Sequence, residues 1–204
     1  MSAETYTAKA DCPEIAILIS GRGSNMLAIV RACQSGVLPA RVSHVVSNTP
    51  NAAGLAAAGD LGVRTCVVDH RRFATREDFD LALCDVLSSD TPDWIALAGF
   101  MRILGKRFVE TWPGKILNIH PSLLPRYPGL NTHARAIAAG DDEAGATVHL
   151  VTDELDAGPI LAQRRVPIIA GDTPETLAKR VLSIEHSLYI EALQRCVKTA
   201  GSMT

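Results

Sequence analysis

The chain has 204 residues, 47% of them hydrophobic and 21% charged, which excludes a disordered protein and suits one domain, at most with a small subdomain. Twenty basic residues against 22 acidic ones give a net charge of −2, and aromatics are only 4%. That leaves no basic excess for general nucleic-acid binding and few rings for stacking on single strands. No apolar run reaches the roughly 18 residues needed to span a bilayer, and the start, MSAETYTAKADCPE, is polar with both signs of charge, unlike a secretory leader.

Residues 1–13 read as an N-terminal tail and 14–204 as one domain, in which 14–116 is a βαβ half and 117–204 a half of different character. Cys12, Cys33, Cys66, Cys84 and Cys196 form no CxxC pair, a pattern that suits reduced thiols in a cytoplasm. In chain order, Ile15–Ser20 is a continuous apolar run, as a strand buried on both faces should be. A glycine-rich turn follows, then a helix over Asn25–Gln34, a strand over Val42–Ser47, an alanine-rich helix over Ala52–Asp60 and a strand over Thr65–Asp69. Helical spacing returns at Arg76–Leu87, with Phe79, Leu83, Val86 and Leu87 on the apolar side. Trp94–Ala98 and Ile116–Ile119 are further strands, separated by a short helix near Gly105–Glu110. Strands alternating with helices of this length predict an α/β fold, a doubly wound and mostly parallel sheet.

Pro121, Pro125 and Pro128 make His120–Gly129 an irregular loop. A helix is expected over Asn131–Ala139. Strands over Thr147–Val151 and Ile160–Ile168, joined by Asp153–Pro159, form an antiparallel extension, and a long helix over Pro174–Lys198 is capped by Thr173.

Three constellations carry chemistry. Gly21-Arg22-Gly23-Ser24-Asn25 lies between the first strand and helix, where close backbone approach and unpaired N–H groups suit an anion; the alternative is a tight turn with Ser24 as the cap. A dinucleotide fingerprint fails at Met26, and a P-loop lacks its Gly-Lys-Ser/Thr ending, so one phosphate fits better than a dinucleotide. Asn118 and His120, two apart at a strand's carboxyl end, share a face, where an amide and an imidazole can stabilise an oxyanion and move a proton; the alternative is a histidine that holds the proline-rich loop. The acidic turn Asp153–Asp156 is either an exposed turn or a place from which Asp156 folds back on His120 and favours imidazolium. His44 and His149 sit in strand patterns as satisfied core groups, His70 lies in a basic cluster, and no zinc spacing is present, so no metal is expected.

GRGSN, LAGFMRIL at 97–104, LNIHPSLLPRYPG at 117–129, TDELDAGP at 152–159 and Glu185-His186 stand in one order. From Ile15 to Cys196 the chain resembles the formyltransferases that use 10-formyltetrahydrofolate, and GSN with PRYPG makes it similar to their glycinamide ribonucleotide transformylase branch. The resemblance implies formyl transfer to the amine of phosphoribosylglycinamide in purine synthesis, with formyl folate as co-substrate. It implies Asn118, His120 and Asp156 as the catalytic trio, with Asp156 raising the histidine's pKa. Gly23, Ser24 and Asn25 would hold the ribonucleotide's phosphate, and Leu182, Ser183, Ile184 and Glu185 would complete that site, Glu185 at the amine. Arg76, Met101, Arg102, Ile103, Leu104, Asn118 and the loop Thr152, Asp153, Glu154, Leu155 and Asp156 would hold the folate, in a pocket of backbone and aliphatic chains. Asn131 stands where many relatives have His. The partners implied are small molecules, without nucleic acid or membrane, for a cytoplasmic monomer or homodimer. A formyltetrahydrofolate hydrolase, or a non-catalytic folate- or nucleotide-binding protein, is the alternative.

Overall fold

The computed structural model describes residues 12–201; the expected N-terminal tail falls, up to residue 11, outside the described residues. Strand β1 (Glu14–Ile19) is buried along its whole length. Its side chains alternate between two cores, because successive residues of a strand point to opposite faces. Ile15, Ile17 and Ile19 pack on one face with Met26, Ile29, Val181 and Leu188, and Ala16 and Leu18 pack on the other with Phe79, Leu83 and Phe108. Burying each of these isoleucines contributes roughly 1.5–3 kcal/mol, so the unbroken apolar run is the main force that centres β1.

Helix α1 (Ser24–Gln34) follows, then β2 (Arg41–Ser47), α2 (Ala53–Asp60), β3 (Thr65–Val67), α3 (Arg76–Ser88), β4 (Trp94–Leu97), α4 (Lys106–Thr111), β5 (Ile116–His120), α5 (Thr132–Ala138), β6 (Glu143–Leu150), β7 (Ile160–Pro167) and α6 (Pro174–Gly201). The strands form one seven-stranded sheet in the order β3-β2-β1-β4-β5-β6-β7. β1 pairs parallel with β2 and β4, as do β2 with β3 and β4 with β5. β5–β6 and β6–β7 are antiparallel. The α/β fold, mostly parallel with an antiparallel C-terminal extension, is the one expected from the sequence.

Residues of α1, α2 and α6 fill the first core, and residues of α3 and α4 the second. Tyr189 of α6 is fully buried, and its hydroxyl lies 3.1 Å from Leu97 O and 3.0 Å from Leu117 O, which ties α6 to the ends of β4 and β5. Thr173 Oγ1 accepts the Thr176 N–H at 3.3 Å, as a cap should, while Thr176 Oγ1 accepts the Thr173 N–H at 2.9 Å. Three details differ from expectation. β3 ends at Val67 rather than Asp69, because Asp69 caps a short 3-10 turn at His70–Arg72 by accepting the Arg71 N–H. The α1 cap is Gly23 in the left-handed region (φ 72°) with no side-chain hydrogen bond, and Ser24 is the first helical residue. β6 starts at Glu143, four residues early, because Ala144, Gly145 and Ala146 are small residues of weak strand preference that pairing with β7 makes extended.

Candidate active site

In an open α/β sheet, ligands bind beyond the carboxyl ends of the strands, where strand order reverses. Here that point lies between β1 and β4. Ser20, after β1, donates its N–H to Gly99 O at 3.2 Å, and its Oγ accepts the Met101 N–H at 2.7 Å, so the segment after β4 is fixed over this crevice. Asn118 and His120 end the adjacent strand β5 on one face.

His120 is 6% exposed, with Nε2 2.9 Å from Tyr127 O and Nδ1 3.3 Å from Asp156 Oδ2. A carbonyl can only accept, so Nε2 carries a hydrogen, and in the imidazolium form both nitrogens have acceptors. Asp156 therefore folds back on the histidine, and its turn is not simply an exposed one. It does so in the left-handed region (φ 53°), which a non-glycine residue adopts at a cost of roughly 1 kcal/mol or more and which persists where surrounding contacts hold it. One such contact is the Gly129 N–H, donated to Asp156 Oδ2 at 2.8 Å. Burial pushes the Asp156 carboxyl up; the His149 hydrogen bond, the Gly129 N–H and the charges of His120 and His149 outweigh it, and the net shift is downward. The carboxylate is thus ionised at neutral pH.

His149, expected to be a core group, belongs to this cluster. Antiparallel pairing sets it directly opposite Asn118, and directly opposed residues point to the same face. Its Nδ1 donates to Leu150 O at 2.9 Å, which leaves Nε2 between Asn118 Nδ2 at 3.2 Å and Asp156 Oδ1 at 3.6 Å. As a neutral ring it accepts from Asn118; as a cation it forms an ion pair with Asp156. A register shift in the β6–β7 pairing falls between Val148 and His149, at the point where the strand presents this ring. The available signal was the pair of polar residues Thr147 and His149 in an otherwise apolar strand next to β5.

Thr147 holds the proline-rich loop. Its Oγ1 donates to Ser122 O at 2.7 Å and accepts the Leu124 N–H at 3.1 Å, while Gln163 Nε2 reaches both Thr147 Oγ1 and Leu124 O at 2.9 Å. The loop is further fixed by Tyr127, whose hydroxyl donates to Asp141 at 2.8 Å.

A cleft of about 780 Å³ opens over these groups. Asn118, His120, Asp156 and His149 line it, together with Met101, Arg102, Ile103 and Leu104 on one side and Thr152–Leu155 on the other. The apolar part of the lining is aliphatic except for Phe100, a departure from the expected pocket of backbone and aliphatic chains, and Phe100 lies 6.5 Å from Phe79 in a stacked arrangement. Met101, Ile103, Leu130 and Leu155 are each more than half exposed around its mouth, apolar surface open to a ligand. Arg76 is not part of the lining; it starts α3 beside Asp80, whose Oδ2 accepts the Gly105 N–H at 2.7 Å and anchors the far end of the 101–104 segment. His133, which the sequence reading assigned no role, also lines the cleft.

The proposed ribonucleotide residues sit next to this cleft rather than in its wall. Gly23 lets α1 begin with first-turn N–H groups that no side chain caps; a Cβ there would meet Met26 Cε at 2.9 Å and Gly54 Cα at 3.3 Å. Asn25 and Glu185, 160 residues apart in sequence, join: Asn25 Nδ2 donates to Glu185 Oε2 at 2.7 Å. Burial pushes the Glu185 carboxyl up, against the opposing pull of Asn25 and the charge of His120. Leu182 and Ile184 are half-buried on the same helix and Ser183 is exposed, its hydroxyl donating to Arg180 O at 2.7 Å. A second cleft, about 760 Å³, opens at the opposite ends of β1 and β2, where Arg41 pairs with Glu14 and Arg64 with Asp90. It lacks the imidazole–carboxylate cluster. Among the described residues no group of three or more His, Cys, Asp or Glu is placed to hold a metal, and no helix is long and apolar enough to cross a membrane.

The topological switch point of the sheet thus faces a carboxylate–imidazole–amide cluster, and comparison with known proteins gives the class. The family model described as Formyl transferase matches residues 13–193, and the chain belongs to that family. It is 46% identical over 175 residues to the phosphoribosylglycinamide formyltransferase of Escherichia coli (strain K12), a match that covers 86% of this chain and 82% of that protein. The crystal structure of the phosphoribosylglycinamide formyltransferase from Brucella melitensis is 50% identical, with a TM-score of 0.87 over 91% of this chain and 96% of that one. Glycinamide ribonucleotide transformylase 1 from Symbiobacterium toebii superposes with a TM-score of 0.91 at 40% identity, over 98% of this chain and 94% of that one.

Proposed function

We propose that the protein transfers the formyl group of 10-formyltetrahydrofolate to the amine of phosphoribosylglycinamide, giving the N-formyl product and tetrahydrofolate in purine biosynthesis. The observation that carries this reading is Asp156 locked between His120 and His149 beside Asn118, under an apolar cleft, in a chain whose relatives have that activity by name. Folate would lie in the cleft against 101–104 and 152–156, and Arg76 near its anionic tail. The ribonucleotide would place its phosphate on Gly23, Ser24 and Asn25, with Glu185 at the amine and Leu182–Ile184 completing that side.

In this reading the amine attacks the formyl carbon, a tetrahedral oxyanion forms, and the bond to the folate nitrogen breaks as that nitrogen takes a proton. Asn118 offers the oxyanion an amide N–H. The His120 Nε2–H, which Tyr127 O accepts at 2.9 Å, turns to the oxyanion as charge develops there. Asp156, ionised and held by the Gly129 N–H, sets a negative charge against the imidazole's Nδ1 and helps pass the amine's proton onward. Each oxyanion donor contributes roughly 3–4 kcal/mol to the transition state, a factor of 10²–10³. The enzyme acts on small molecules in the cytoplasm as a monomer or homodimer, with neither nucleic acid nor membrane as partner.

The test is to incubate the protein with 10-formyltetrahydrofolate, with and without phosphoribosylglycinamide, and follow tetrahydrofolate release by absorbance. Release that requires the ribonucleotide is expected. Release without it would point to hydrolysis, and no release in either case to a binding protein.

A further inference from the structure

His149 is 2% exposed and lines the cleft, and the formyl-transfer reading gives it no role of its own beyond its contact with Asp156. Its ring meets fixed chemistry on both sides. Leu150 O can only accept, so the hydrogen of the neutral ring sits on Nδ1, 2.9 Å from that carbonyl, and Nε2 keeps its lone pair. Leu150 is itself anchored, since its N–H is donated to Pro159 O at 2.9 Å. The Nε2 lone pair faces two groups, Asn118 Nδ2 at 3.2 Å and Asp156 Oδ1 at 3.6 Å. A carboxylate oxygen cannot donate, so the neutral ring takes one N–H of Asn118 and leaves the other for the cleft, which Asn118 also lines. The two ends of an Asn amide are nearly alike in shape. Without that lone pair, a half-turn of the amide would put Oδ1, an acceptor, where the reading needs a donor.

We propose that His149 is a positioning residue: the lone pair on its Nε2 holds the Asn118 amide so that an N–H, and not the carbonyl oxygen, faces the oxyanion formed in the cleft. The proposal rests on the formyl-transfer reading and supplies the group that orients its amide donor. The role is one of acceptance. An imidazolium has no lone pair at Nε2 and offers a hydrogen there instead, so only the neutral ring can perform it. The two histidines of the cluster therefore work in opposite senses. His120 donates from Nε2 and meets Asp156 Oδ2 through Nδ1, whereas His149 accepts at Nε2 beside Asp156 Oδ1. Strand pairing makes the arrangement specific to this site, because the β5–β6 register sets His149 directly across from Asn118 and only Thr147 across from His120.

The experiment has a spectroscopic and a kinetic arm. Nitrogen NMR of the wild-type with isotope-labelled histidine reads the tautomer without any reaction. Once titration has made the ring neutral, Nε2 of His149 is expected to be the bare nitrogen, and a neutral ring protonated at Nε2 overturns the proposal. If the wild-type does not formylate the ribonucleotide, the formyl-transfer reading fails and the proposal with it, even with the expected tautomer. If it does, His149→Leu is expected to lower kcat about 10²-fold, as for a lost oxyanion donor, with KM for folate within about twofold of wild-type. His149→Gln, whose amide oxygen can accept the same N–H, is expected to recover kcat to within about tenfold of wild-type. In an Asn118→Ala background His149→Leu should cost nothing further, because the group it orients is gone. Losses that multiply in the double variant, or a folded His149→Gln as impaired as His149→Leu, assign His149 to structure and overturn the proposal. Should His149→Leu fail to fold, His149→Gln serves alone, and a loss of about 10²-fold there is the contrary result.

Discussion

Asp156 is shared by two imidazoles and one backbone N–H, and each contact sets a different property. Gly129 fixes its place, while His120 and His149 fix its charge. Asp156→Asn keeps an oxygen for Gly129 but not the charge, so we expect a folded protein whose kcat falls about 10²–10³-fold, read by the folate-release assay. Near-normal turnover would remove Asp156 from the mechanism. Its pH signature follows from the lowered carboxyl: the unfolded chain takes up the proton near 3.8 and the folded one lower, so the charge contributes stability above about pH 4 that is lost as pH falls through the folded value. Denaturation of wild-type and Asp156→Asn should therefore show a stability difference that shrinks as pH falls below 4; a difference that grows on acidification would mean the shift has the opposite sign. Asn118 and His120 were legible in the sequence because a strand's two-residue period decides that they share a face. The proximity of Asp156 was not, because it depends on a left-handed backbone and a Gly129 N–H 27 residues away. His149 was misread for a related reason: a histidine in a strand has no signature until the strand's neighbour and register are known, and only pairing with β5 sets it opposite Asn118.

At the scale of elements, the turn that carries Asp156 is seated by the residues just after it. Gly158 lies so close to β6 that a Cβ would come 1.9 Å from Leu150 O, a backbone atom that cannot move aside alone. Gly158→Ala must lift the 152–159 turn off the strand. We expect destabilisation of about 2–4 kcal/mol, within the range of overpacking substitutions, together with a raised KM for folate, since the same turn lines the cleft. Urea denaturation and steady-state kinetics check both; unchanged stability and KM would show that the turn has slack. The apolar runs of β1, β4 and β5 foretold their burial, but the early start of β6 was hidden, because Gly145 reads as a breaker in sequence and serves in the sheet to let Arg164 O approach.

At the scale of the molecule, the two halves seen in the sequence share one sheet and the first of its two cores. β5, from the second half, pairs with β4 of the first, and α6 packs on α1, with Tyr189 reaching Leu97 O and Leu117 O on both sides of the divide. A single domain should therefore unfold in one cooperative transition, with tryptophan fluorescence and far-ultraviolet circular dichroism coincident in urea. Separate transitions would divide the chain near residue 117. The net charge of −2 gives no global attraction for anionic substrates, so the proposed function requires local recognition, which it assigns to the start of α1 and to Arg76.

The most direct test of the account follows the formyl carbon itself. With 10-formyltetrahydrofolate labelled at that carbon and phosphoribosylglycinamide present, carbon NMR should show the label entering a formamide on the ribonucleotide at the rate of folate release. In His120→Ala the label should stay on folate over the same interval. Label that appears as free formate at that rate, or transfer that proceeds undiminished in His120→Ala, would contradict it.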